Sequence, residues 1–222
     1  MKKLKLRQDP QLEVYLAAMQ SVLFKGINAY STAVNWTEAY EDKWYLKKLI
    51  TQTITKLDRD HLLRYLEWNI HIGRRQLFEK HRAYLFALTD EAREQYIQSC
   101  AGDPYLYHEV QIVNRYAPSL PKGHITAVDL AWAVYIAKGG YYLDMISEEE
   151  YWSYIDLSVA MNKASYSSWA EYLTGSVAGS YFTNNGQLIN SYQASMEQTL
   201  FQRLLNGHYS PMTRVDIQGR AL

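Results

Sequence analysis

HITAVDLAWAVYIAKGGYYLDMISEEEYWSYIDLSVAMNKA occupies residues 124–164. Between Ile125 and Ala137 nearly every side chain is apolar, and Asp129 is the only charge. A bilayer span needs roughly 20 apolar residues, so this run is too short for one. Its length suits a helix buried on most sides at the middle of a globular domain. Gly139-Gly140 predicts a turn, and Ser147-Glu148-Glu149-Glu150 announces a second helix. The pair reads as a central helical hairpin on which the other helices pack.

Working outward, three helix starts resemble capping boxes: Thr126 with Asp129 in a looser form, Ser147 with Glu150, and Ser168 with Glu171. In such a box the hydroxyl accepts from the third amide while the acid reaches back to the first. Gly175 and Gly179 lie four apart inside the third of these helices, where they let another backbone approach. A last helix over about 190–205 carries Tyr192, Met196, Leu200 and Leu204. The tail 207–222 lacks periodicity, which predicts an extended or poorly ordered chain end.

Toward the N-terminus, Leu12, Tyr15, Leu16, Met19, Val22 and Leu23 follow helical spacing over about 10–25. Gly26 interrupts them, and INAYSTAVNW reads as either a loop or a short helix. Leu46, Leu49, Ile50, Thr53 and Leu57 mark the next helix, and Asp58 caps its successor, with Leu62, Leu66, Ile70, Gly73 and Leu77 on one face. Thr89 or Asp90 opens another. Asp103-Pro104 opens one more, since Pro fits the first helical position. APSLPKG at 117–123 is the best boundary in the chain, yet its length suits a connection rather than a linker. The expectation is all-α: a single compact multi-helix bundle of about eight helices over residues 1–222. It divides into front helices 1–116, a core 124–206 and the tail.

Lys plus Arg and Asp plus Glu both number 23, so the chain is neutral overall, which argues against a dedicated nucleic-acid binder. Residues 1–100 carry 16 basic and 12 acidic side chains, leaving 7 and 11 for residues 101–222. That asymmetry fits either packed complementary helices or an acidic partner-facing surface. Cys100 is the single cysteine, so no intrachain disulfide forms and a reducing compartment is favoured. The basic start MKKLKLRQDP leads into an amphipathic segment containing Glu13 rather than a secretory apolar core, which points to the cytoplasm. The 20 tyrosines predict either a core stitched by hydroxyl hydrogen bonds or a binding surface.

Phosphate loops, dinucleotide fingerprints, zinc-protease boxes and nucleophile elbows do not occur. Three histidines, His61, His71 and His81, are ten apart, each turned about 80° from the last on a helix, so one metal cannot hold all three. Neither metal nor cofactor is expected. Glu67, His71, Arg74 and Arg75 form a polar stripe, and an Arg folding over the hairpin would pair with Asp129. A charge on an apolar helix needs a partner or a cap, because burying it bare costs several kcal/mol. Asp129, Glu67, His71, Arg74, Arg75 and Glu171 are therefore the candidate polar cluster. Tyr141, Tyr142, Asp144 and Met145, read as lying in the hairpin turn, form the candidate partner surface or plug the end of the bundle.

Val128-Asp129-Leu130 through Gly140-Tyr141, then Ile146-Ser147-Glu148-Glu149-Glu150, then Ser168-Trp169-Ala170-Glu171-Tyr172, resemble the bacterial domain of unknown function 1266 family. Its members show a WDLGRAVNLARWGY-like helix, an ISEEEAW-like start and SSWEEF before a glycine–arginine pair. The resemblance covers about 125–182. Two departures stand out: Trp132 replaces an arginine, and Gly179-Ser180 replaces the glycine–arginine pair. The resemblance implies a helical cytosolic protein and brings no reaction with it. The functional expectation is a non-enzymatic protein-binding module, such as an immunity-type antagonist of a toxin. The alternative is an enzyme or small-ligand binder with a polar cleft near Asp129. Nucleic acid and membrane are not expected partners.

Overall fold

A computed structural model describes residues 9–24, 28–35, 37, 40, 43–54, 56–183 and 191–222, except the side chains of 45, 49, 52, 53 and 191–197. Gly26, Ile27, Trp36 and the side chains of Leu49, Thr53, Tyr192 and Met196, all used in the sequence reading, lie outside that set. The helices are α1 (Pro10–Gln20), α2 (Ala29–Val34), α3 (Lys43–Thr53), α4 (Arg59–His71), α5 (Gly73–Leu85), α6 (Asp90–Ser99), α7 (Pro104–Tyr116), α8 (Thr126–Tyr142), α9 (Glu148–Ser165), α10 (Trp169–Thr183) and α11 (Ser191–Asn206). Among the described residues the only β-type pairing is the isolated bridge between Val215 and Ala221. The fold is all-α.

The starts follow local chemistry. Asp9, Asp58, Thr89 and Asp103 each accept an amide of the helix they precede, and Pro10 and Pro104 occupy first positions whose N–H has no helical partner anyway. Ser147 and Glu150 complete a reciprocal box at α9. INAYSTAVNW contains the short helix α2.

Helix α8 lies at the centre, packed most heavily on α9, then on α10, α4 and α1. Of its 17 residues, only Trp132 and Tyr142 are not buried. The expected hairpin exists, but its turn is not at Gly139-Gly140. Helix α8 runs through both glycines to Tyr142, and the chain reverses over Leu143–Ile146, where Asp144 adopts φ +59°. A Cβ on Gly139 would meet Ile50 of α3, and one on Gly140 would meet Leu62 of α4. These glycines serve close approach between helices, which outweighs their cost of about 1 kcal/mol each in a helix. Gly175 and Gly179 do the same for α10: a Cβ there would strike the His124 carbonyl and the Val128 side chain.

The larger core gathers α1, α4, α8, α9 and the first half of α10. A smaller one, including Phe78, Ile97, Val110, Ile125 and Phe182, joins α5, α6, α7 and the end of α10. Tyrosine hydroxyls cross-link the larger core. Tyr172 donates to the Met19 carbonyl at 2.7 Å, and Tyr166 accepts from the Ala127 amide at 2.8 Å. The tail corrects its expectation: Ser210, Pro211, Met212, Val215 and Ile217 are buried. Tyr15 donates to the Ile217 carbonyl and Trp169 to the Val215 carbonyl. Short polar and apolar residues without periodicity still dock when a core offers donors to their backbone.

Candidate functional site

The polar stripe expected on one helix is split by a break. Helix α4 ends at His71, Ile72 has φ −121° and ψ −73°, and α5 begins at Gly73 with φ +63°. Such a break leaves carbonyls at the end of α4 and amides at the start of α5 without helical partners. Asp129, reaching in from α8, satisfies the amides: Oδ1 accepts from Arg74 N at 2.9 Å and Oδ2 from Arg75 N at 3.2 Å. Arg75 satisfies the carbonyls. Its Nη1 donates to Asn69 O at 2.7 Å and to Asp129 Oδ2 at 3.0 Å, and its Nη2 donates to Ile70 O. The carboxylate sits at the positive end of one helix dipole and the guanidinium at the negative end of another. A Cβ on Gly73 would fall on Asp129 Oδ2, so only glycine lets the carboxylate this close.

The expected ion pair of Asp129 with an arginine is thus present, through Arg75, while the expected capping box with Thr126 is not. Helix α8 has Ile125 at its cap position without a side-chain bond, and Asp129 caps α5 instead. Its side chain is 1% exposed and that of Arg75 is 15% exposed. Burial lifts the Asp129 carboxyl above the ordinary carboxylate value, and the two amides and the Arg75 guanidinium draw it back down.

Two depressions flank Trp68 on the outer side of this junction. One, of about 350 Å³, is lined by Tyr65, Trp68, Asn69, Arg74, Val128, Asp129, Trp132 and Thr183. The other, of about 500 Å³ and more open, is lined by Leu63, Arg64, Glu67, Trp68, His71, Ile72 and Tyr154. Glu67 pairs with His71 at 3.2 Å and accepts from the Tyr154 hydroxyl at 2.6 Å. The candidate cluster is therefore divided: Asp129 and Arg74 line one depression, Glu67 and His71 the other, and Arg75 binds Asp129. Glu171 belongs to neither lining. It accepts the Ser167 amide at 2.7 Å, its own amide bonds Ser168 Oγ at 3.2 Å, and the first of these contacts leads in holding its carboxyl below the usual range.

The candidate partner surface lies only in part in the turn, which holds Asp144 and Met145. Tyr141 and Tyr142 form the last turn of α8; Tyr141 is buried beside Tyr151, and Tyr142 stacks on Tyr40. Asp144 pairs with Lys43 at 3.1 Å, and Met145 packs partly buried against the core.

One feature escaped the sequence reading. Lys138, one residue beyond the apolar run, is buried with its ammonium 2.9 Å from Glu13 Oε2 and 5.2 Å from the Tyr40 ring centroid. Burial depresses its pKa to about 8, against the pull of Glu13. The one signal available was a lone Glu on the otherwise apolar face of α1. Trp68, Tyr65 and Asn69 were also missed, because an aromatic residue on a polar helix face gives no indication of a hollow beside it.

Among the described residues no group of three or more His, Cys, Asp or Glu side chains is placed to hold a metal ion. No described helix is long and apolar enough to cross a membrane. No curated protein and no solved structure matches the chain. The family model described as "Protein of unknown function (DUF1266)" matches residues 57–217, a span that contains α4 to α11, the Asp129–Arg75 junction and both depressions. That span is well over half of the chain, and the protein belongs to the DUF1266 family.

Proposed function

We propose that the protein is a non-enzymatic binding module of a reducing cytoplasm and that its site is the cleft beside Asp129, between Trp68 and Trp132. The observation that carries this reading is the commitment of Asp129. Both of its oxygens accept hydrogen bonds that hold the α4–α5 break, so neither is poised for proton transfer or attack. What faces the hollow is three aromatic rings beside Val128, with a few polar groups (Asn69, Thr183, Asp129) and one exposed guanidinium, the mixed composition of a recognition site. Its volume lies at the lower end of the range of small-molecule sites, roughly 300–1,000 Å³. The test is titration of isotopically labelled protein with indole as a neutral probe. Amide shift changes should cluster at Tyr65, Trp68, Asn69, Arg74 and Trp132; changes scattered over the surface, or none, would refute the reading.

A protein partner, as for an immunity-type antagonist, is favoured by one further observation. Ile72, which lines the larger depression, and Leu157, one helical turn beyond Tyr154, are each 42% exposed. Exposed apolar side chains beside a concave aromatic surface are what a partner covers. Under this reading, Ile72→Asp abolishes capture of a purified partner while leaving indole-induced shifts in the smaller cleft intact.

A further inference from the structure

The charges around the smaller cleft do not cancel, and their imbalance names a ligand class. Asp129 at its base is neutralised by Arg75, whose guanidinium also donates to Asn69 O and Ile70 O. Tyr65 is kept protonated by burial, so it adds no charge. The Asn69 amide donates to the Tyr65 carbonyl at 2.7 Å, and Thr183 Oγ1 donates to the Ser180 carbonyl. That leaves Arg74. Its backbone amide is tied to Asp129, but its guanidinium is exposed, lies 5.9 Å from the Trp68 ring centroid, and has no ion-pair partner among the described residues. The cleft therefore offers one net positive charge beside two indole rings carried on different helices, α4 and α8.

Resting on the binding reading above, we infer that this cleft takes a planar aromatic ring bearing a carboxylate. The ring lies against Trp68 and Trp132, and the carboxylate meets the Arg74 guanidinium. Aromatic walls favour offset or edge-on contact with a flat ring. A guanidinium matches a carboxylate with two parallel N–H bonds, which a neutral ligand does not use. About 350 Å³ holds a bicyclic ring with a short acidic arm and little more.

The experiment compares indole-3-acetate, indole and tryptamine by quenching of tryptophan fluorescence and by calorimetry, on the full chain and on Arg74→Gln. Arg74 is exposed and, beyond its approach to the Trp68 ring, its side chain has no hydrogen bond or ion pair among the described residues, so the variant folds; Arg74→Lys retains the charge and loses the paired geometry. The acetate should bind about tenfold tighter than indole at low salt, with the advantage shrinking as salt rises. In Arg74→Gln the two should converge, and in Arg74→Lys the advantage should be partly kept. If indole binds as well as indole-3-acetate, the ligand class is wrong while the binding reading stands. If tryptamine binds best, the Asp129 charge governs the cleft and the inference is overturned. If none of the three binds, both readings fail together. A peptide ending in tryptophan identifies the source: tighter binding than the free acid assigns the carboxylate to a partner chain, and weaker binding assigns it to a free metabolite-sized acid.

Discussion

What converges on Asp129 favours its charged form. Two amides and a guanidinium nitrogen point at its oxygens, and an amide side chain in its place would turn its NH2 toward donors. Burial alone argues the other way, since it favours a neutral group. The loss of acceptor capacity decides the outcome, because each orphaned buried donor costs about 1–3 kcal/mol. Asp129→Asn is expected to lower stability by about 2–4 kcal/mol in urea unfolding, and an unchanged midpoint would show the cap to be dispensable. The Lys138–Glu13 pair behaves differently. The Lys138 pKa falls from 10.5 to about 8 on folding, so between those values the unfolded chain holds more protons and stability rises with pH. The charged ammonium is a cost to the fold below that window. Replacing the pair with Glu13→Leu and Lys138→Met should raise stability by about 1–4 kcal/mol and remove the rise with pH, both read by denaturation at two pH values inside the window.

At the scale of elements, α8 and α10 approach through glycine. A methyl group at Gly175 would run into the His124 carbonyl and the Tyr166 hydroxyl, which accepts the Ala127 amide near the start of α8. Backbone does not yield as a flexible side chain does, so Gly175→Ala should cost about 1–3 kcal/mol by overpacking. Gly102→Ala, with no atom within 4 Å of the added carbon, is the control and should leave the unfolding midpoint nearly unchanged. Equal effects at the two sites would mean that helix propensity, not contact, governs α10. The break between α4 and α5 is the other decisive element. It turns one expected polar stripe into two depressions separated by Trp68, in place of a single solvated helix face.

Across the molecule, stability depends on tyrosines that stay protonated. Burial raises the pKa of Tyr15, Tyr40, Tyr151, Tyr166 and Tyr172 above the ordinary value of 10.0. A group whose folded pKa is raised contributes stability that is complete below its unfolded value and is lost as pH climbs toward the folded one. The protein should therefore unfold cooperatively above about pH 10. Tyrosinate absorbance from the buried set should appear together with loss of helical circular dichroism; ionisation of those five ahead of helix loss would contradict their placement. Several of them tie distant segments, as Tyr15 does to Ile217 and Tyr172 to Met19, so their ionisation cuts tertiary links rather than trimming a surface.

Most helix starts, the apolar central rod, the need of Asp129 for a cap or an ion pair and the family's motifs are legible in the sequence, because each rests on neighbours within a turn or two of chain; the start of α5 at Gly73 and the uncapped start of α8 are not. Capping residues, first-turn prolines and apolar spacing act locally and survive without knowledge of the fold. Tertiary structure alone decided which helix Asp129 caps, that Gly139-Gly140 serves packing rather than turning, that Lys138 finds Glu13 across 125 positions, and that the tail docks on Tyr15 and Trp169. It also made the cleft, since Trp68, Arg74 and Trp132 share a hollow only once α4, α5 and α8 have met. Contacts between residues far apart in the chain depend on how whole helices settle against one another, and no local pattern encodes that distance.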